Sequence, residues 1–153
     1  MSDTISTSPC GGSAAIASHL QSDLCKTAGV RALVFTEQPL LTALSNDLGY
    51  EQAYEWQVKI WAEPGDLLVA ISSSGQSENI VRAARAAVER GCSLMTLTGF
   101  RPDNPLRQMG NLSFYVSSAI YGYVEAAHTA LAHCLAERAR DVGKSRSETR
   151  AKV

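Results

Sequence analysis

The residues that could do chemistry gather in a few short stretches. Ser72-Ser73-Ser74-Gly75-Gln76-Ser77 sets four hydroxyls around one glycine, between an apolar run ending at Ile71 and a helical pattern starting near Glu78. Each hydroxyl can donate to a phosphate oxygen, and Gly75 allows a tight turn. The unpaired N–H groups at the start of a helix favour an anion. No Lys or Arg interrupts the stretch, so it is not a Walker-type loop and implies no nucleotide cofactor. It suits a phosphate monoester held by neutral donors; a serine-rich cap and turn is the plainer alternative. A second glycine-bearing turn, Cys10-Gly11-Gly12-Ser13, offers Ser13 as an N-cap and backbone N–H groups to the same ligand.

All three histidines lie in helical patterns that also carry a carboxylate. His19 and Asp23 stand at i, i+4 and share a face, while Glu125 and His128 stand at i, i+3 with His133 five residues on. Such sets bind a divalent metal or divide the roles of general acid and base; a helical hydrogen bond accounts for either pair taken alone. Glu125 and His133 are eight residues apart, about 12 Å along a straight helix. One small centre needs a bend or a second subunit to use both. Asn46 and Asp47, in Ser45-Asn46-Asp47, could hydrogen-bond sugar hydroxyls or form a polar turn before Gly49.

The elements that must position these residues alternate. Arg31–Thr36, Asp66–Ser72, Ser93–Thr98 and Leu112–Ser117 are short, rich in β-branched or aromatic residues, and nearly continuous in apolar character. Parallel strands buried on both faces read this way. Ser13–Lys26, Glu51–Trp61, Glu78–Arg90 and Val124–Arg140 carry helical patterns; in the third, Ile80, Val81, Ala84, Ala87 and Val88 form the core face and Gly91 stops it. Strand and helix in alternation predict an α/β fold, a three-layer α/β/α sandwich on a mainly parallel, Rossmann-like (flavodoxin-like) sheet with right-handed crossovers. Pro64-Gly65 is the turn into the second strand, and Arg101–Pro105 a polar loop after the third.

The 153 residues suffice for one domain with a real core. A net charge of -1 gives no global case for nucleic acid or an anionic membrane. No apolar run approaches a membrane span, and Met1–Pro9 lacks the pattern of a secretory signal. Cys10, Cys25, Cys92 and Cys134 lie far apart with no C-x-x-C spacing, as reduced thiols of a cytoplasmic protein do. A single domain is expected over 10–140, with 1–9 and 141–153 as flexible termini. The stretch from Arg138 holds six of the fourteen basic residues and reads as a solvated end, with a basic arm for an acidic partner as the sharper reading.

Together these residues resemble the SIS (sugar isomerase) domain family, and within it the phosphoheptose isomerase group. The matching pieces are Gly11–His19, Ala43–Glu51, Pro64–Ala87, Leu97–Gly99 and Glu125–His133. The resemblance implies interconversion of a ketose phosphate and an aldose phosphate, such as sedoheptulose 7-phosphate and its heptose 7-phosphate partner in lipopolysaccharide or capsule synthesis. It implies that Ser72, Ser73, Ser74 and Ser77 hold the phosphate, and that Gly11, Gly12, Ser13, Asn46, Asp47 and Glu125 line the substrate. Asp23 and His133 take the family's base and acid positions, and His19, Asp23, Glu125 and His133 match a zinc site of the group. The family is oligomeric, so a homodimer or tetramer with sites near subunit interfaces is expected. The chain departs from the family in Asp23 for Glu, Cys10 for Asn, and Glu125 for Gln. Family members also carry a long helix and a first strand ahead of the Gly11-Gly12 turn, for which Thr4-Ile5-Ser6-Thr7 is a poor substitute. A non-catalytic SIS module, resembling the protein that associates with the bacterial replication initiator DnaA, is the rival reading.

Overall fold

The computed structural model describes residues 4–7 and 11–150, with side chains from 11 to 143. Its elements are β1 (Thr4–Thr7), α1 (Gly11–Lys26), β2 (Ala32–Val34), α2 (Gln38–Leu48), α3 (Tyr50–Trp61), β3 (Leu67–Ser72), α4 (Glu78–Glu89), β4 (Ser93–Thr98), α5 (Pro105–Met109), β5 (Leu112–Tyr115) and α6 (Tyr121–Arg150). The strands form one all-parallel sheet in the order β2-β1-β3-β4-β5, the flavodoxin-like arrangement.

Strand alternation sends one set of side chains to each face. Leu68, Ala70 and Leu94 join Tyr54 and Val58 of α3, Ile80 and Ala84 of α4 and Leu106 of α5. Val69, Ile71 and Leu97 join Ile16, Ala17 and Leu20 of α1 and Ala132 and Ala136 of α6. Both faces are covered, which explains the unbroken apolar character of β3. Each fully buried Leu or Ile contributes about 1.5–3 kcal/mol, so the sheet is held from two sides. Val88, in the last turn of α4, departs from the other apolar residues of that pattern and is 48% exposed.

Two expectations about the ends are corrected. Thr4–Thr7 is no loose terminus but the strand β1, aligned with Ala32–Val34 on one side and Leu67–Ala70 on the other. Two threonines and an isoleucine are β-branched, and a backbone paired on both edges does not need an apolar composition. At the other end α6 continues in helical form through 141 to Arg150, helped by Arg140 reaching Glu137 and Asp141. The α1 helix also begins at Gly11, two residues before the expected cap, so Ser13 lies buried inside its first turn. The expectation placed on Cys10 falls outside the described residues. Among the described residues Cys25, Cys92 and Cys134 are free thiols, and no helix is long and apolar enough to cross a membrane.

Candidate functional site

The strand order itself marks a place for a ligand. β1 and β3 are neighbours, yet the chain leaves β1 for α1 on one face and β3 for α4 on the other. In open parallel sheets this divergence opens a crevice at the C-terminal strand ends, between two helix N-termini.

The Ser72–Ser77 turn fills the β3 side of that crevice and is braced from below. Gly75 has φ +64, and a methyl group there would collide with the side chain of Asn104. Asn104, 1% exposed, caps α5 by accepting from the Arg107 N–H at 2.9 Å and donates to the carbonyls of Arg101 and Gly99. Gly99 N–H donates to Ser73 O at 2.9 Å and Leu106 N–H to Gly75 O at 3.2 Å, so the β4–α5 connection takes up the turn's carbonyls. Ser77 is the N-cap of α4 but makes no side-chain cap bond; its hydroxyl lies 3.1 Å from that of Ser72. Ser72 Oγ also accepts from Gly75 N–H, and Ser74 Oγ from Gln76 N–H. Ser73 Oγ is buried without a partner. Asn79 Oδ1 accepts from Ile80 N–H at 3.0 Å. The earlier amides of α4 receive no cap from Ser77, and such a helix start beside an unpartnered hydroxyl can receive an oxyanion.

On the opposite face α1 and α6 lie side by side. Both helices run antiparallel to the strands, hence parallel to each other, and they meet at three levels. At the top the Glu125 carboxylate occupies the space a side chain at Gly12 would need. Further along, His133 Nδ1 lies 3.2 Å and His19 Nε2 3.4 Å from Asp23 Oδ2, with the two imidazole rings 4.9 Å apart, edge to face. Near the end Gly143 faces Ala28. One ligand atom each from His19, Asp23 and His133 lies within 4.8 Å of the others. Two imidazole nitrogens and a carboxylate oxygen suit a zinc ion. Glu125, about 12 Å up α6, is not in this group, so the expected metal set of four is three here. Asp23 and His133 meet within a single chain because the crossover from β5 returns α6 to the face of α1.

Asn46 and Asp47 are placed differently. Both are exposed in the last turn of α2 and hydrogen-bond to each other at 2.9 Å, with no hydrogen bond to the other candidates. Sequence reasoning missed Asn104, whose signal was the Asn-Pro pair that opens α5. It also left His128 out of the site. That side chain is fully buried, its Nε2 3.2 Å from Thr98 O, and burial pulls its pKa down against the raising effect of that hydrogen bond.

The pattern of the SIS domain family matches residues 3–99. The chain belongs to the SIS domain family. The phosphoheptose isomerase of Aquifex aeolicus is 33% identical over 143 residues, 90% of this SIS chain and 74% of the relative. Among solved structures, the phosphoheptose isomerase of Neisseria gonorrhoeae superposes with a TM-score of 0.83 at 30% identity, covering 91% of this chain and 77% of that one. That of Francisella tularensis gives 0.81 at 25% identity with the same coverage. The SIS chain spans 62 to 74% of the length of the Aquifex protein and three similar isomerases. The match to residue 3 agrees with β1 being an integral strand of the domain.

Proposed function

We propose that this SIS domain is a phosphosugar isomerase that interconverts a ketose phosphate and an aldose phosphate through an enediol. One observation carries the reading: Asp23 and His133, 110 residues apart in the chain, meet at 3.2 Å on the helix pair that leaves the crevice. Relatives named phosphoheptose isomerase make a heptose 7-phosphate the first substrate to test.

The chemistry needs a base beside the carbonyl carbon and a donor for the oxygen where charge develops. Asp23 takes a proton from C1 of the open-chain ketose while His133 donates one to O2. The resulting enediol has a C1–C2 double bond. His133 then recovers a proton from O1 as Asp23 returns its proton to C2, leaving the aldose with no atom gained or lost. Asp23 is one methylene shorter than the glutamate found in the family at this position, so the substrate must approach α1 more closely. The same three residues, His19, Asp23 and His133, would hold zinc, which when bound supplies Lewis-acid polarisation of the carbonyl. The phosphate rests on Ser73, Ser74 and Ser77 and the amides that open α4. Ser72, committed to Gly75 and Ser77, shapes the turn.

The Asp23 group is open: His19 is 59% and His133 51% exposed. A carboxylate that works as a base is helped by exclusion of water, and a second copy of the chain over α1 and α6 would supply that cover. The protein is therefore proposed to act as a homo-oligomer with its sites near the subunit interface.

The deciding experiment follows sedoheptulose 7-phosphate by NMR with and without added zinc. Conversion that is lost in both Asp23→Ala and His133→Ala supports the reading; conversion surviving in both excludes the acid–base assignment. Heat stabilisation by the sugar phosphate, and none by the unphosphorylated sugar, tests the phosphate site separately.

A further inference from the structure

His128 is the buried titratable group that this mechanism leaves unused. It stands on α6 three residues after Glu125 and five before His133, at 0% exposure. Its Nε2 lies 3.2 Å from the carbonyl of Thr98, the last residue of β4. A carbonyl only accepts, so Nε2 carries the proton and Nδ1 is a bare acceptor; Nδ1 has no partner. The same carbonyl also accepts from Val116 N–H at 2.9 Å, which fixes it in the sheet's own backbone pairing and leaves its second lone pair to His128. Thr98 pairs in register with Ser72, the first residue of the phosphate turn.

The neighbours of this bond explain what it holds. One turn earlier, Val124 packs so closely on Gly99 that a methyl there would lie 2.8 Å from its side chain. Gly99 in turn donates to Ser73. The first turns of α6 thus rest on the end of β4 through a van der Waals contact at Val124 and one directional bond at His128. Apolar contacts alone allow a helix to slide or rotate by a fraction of an ångström, whereas a hydrogen bond to a fixed carbonyl does not.

We propose that His128 is a positioning residue for the isomerase site: its Nε2–H···O=C bond to Thr98 registers α6 on the sheet, and so places Glu125 over Gly12 and His133 beside Asp23. The proposal rests on the isomerase reading for its catalytic consequence, while the registering bond itself is independent of it. His128 touches no substrate; it acts through its two neighbours on α6. A misplacement of a catalytic group by about 1 Å can cost on the order of 100-fold in rate.

The test compares wild type with His128→Leu, which keeps the bulk and removes the donor, and His128→Gln, whose amide nitrogen can reach the same carbonyl. Both are assayed with sedoheptulose 7-phosphate below their unfolding temperatures. For His128→Leu the expected result is a kcat lower by about 10- to 100-fold with KM within about threefold, and recovery of most of that loss in His128→Gln. Wild-type kcat in His128→Leu overturns the proposal. So does an equal loss in Leu and Gln variants, which makes the role one of packing. Amide hydrogen exchange gives a reading that needs no turnover. Residues 124–133 should exchange faster in His128→Leu than in wild type while α4 is unchanged; equal rates overturn the registering bond. If wild type itself fails to turn over, the isomerase reading falls, and the exchange rates alone decide the bond.

Discussion

The two halves of the site are built by opposite means. The Ser72–Ser77 turn is made mostly of backbone, comes from one continuous stretch, and is locked by Asn104, Gly99 and Leu106 from the next connection. The Asp23–His133–His19 group is made of side chains from two helices, with Asp23 and His133 110 residues apart in sequence and both imidazoles more than half exposed. In the proposed reaction the phosphate does not change, so a cradle for it gains from rigidity. The acid and base of that proposed reaction must move protons and admit a substrate, which the exposed imidazoles of a single chain allow. Binding and chemistry should then separate cleanly on mutation.

The largest effect falls on the chemistry alone. His133→Ala and Asp23→Ala should each lower kcat by about 10²- to 10⁴-fold, the usual worth of a general acid or base. Heat stabilisation by the sugar phosphate should persist in both, because neither side chain hydrogen-bonds to the turn. If either variant also loses that stabilisation, the two halves are not independent and the comparison fails.

Next comes the cradle. Gly75→Ala puts a methyl into Asn104 at φ +64, a strain on the order of 1–3 kcal/mol. It should lower Tm and abolish the sugar-phosphate shift. Gly29→Ala is the control, since Gly29 has the nearly equal φ of +65 but open space around it. It should lower Tm by less and leave the ligand shift intact. Asn104→Ala, which removes the α5 cap worth about 1 kcal/mol, should weaken the ligand shift without a bulky clash. An unaltered shift there would mean that the turn holds its shape unaided.

The same contrast explains what could be read from the residues beforehand. The Ser72–Ser77 turn was legible as a strand-to-helix connection because its pattern is local: an apolar strand, a serine-rich run and a helix start follow one another in order. The meeting of Asp23 with His133 came from the family resemblance and not from spacing, because it depends on the crossover that carries α6 from the sheet edge back to α1. Spacing along α6 correctly kept Glu125 and His133 apart, but could not say which of them α1 would meet at Asp23. β1 was obscured by composition, since Thr4-Ile5-Ser6-Thr7 earns its place by pairing on both edges instead of by burying a run of aliphatics. Asn104 was hidden for a third reason: it braces Gly75 across 29 positions, and no local pattern reports such a contact.

The smallest expected effect separates the two faces of the sheet by pH. Burial holds His128 below the ordinary histidine value of 6.5 in the fold, with the Thr98 hydrogen bond opposing. In the unfolded chain the ring takes up a proton as pH falls through that value, while the folded ring stays neutral to a lower pH. The unfolded state therefore binds more protons in this window, and stability that is complete above about 6.5 declines below it. On the other face Glu55 behaves as a paired carboxylate. Burial alone would raise its pKa, but hydrogen bonds from Lys59 and Arg82 outweigh that and lower it from 4.5. Its contribution is present above that value and is lost only as pH falls further. Between these two windows the decline belongs to the α6 side. His128→Gln, which cannot titrate, should flatten Tm against pH in the upper window, by a few degrees at most for a chain of this size, and leave the acid limb unchanged. A wild-type slope persisting in His128→Gln would place the titrating group elsewhere.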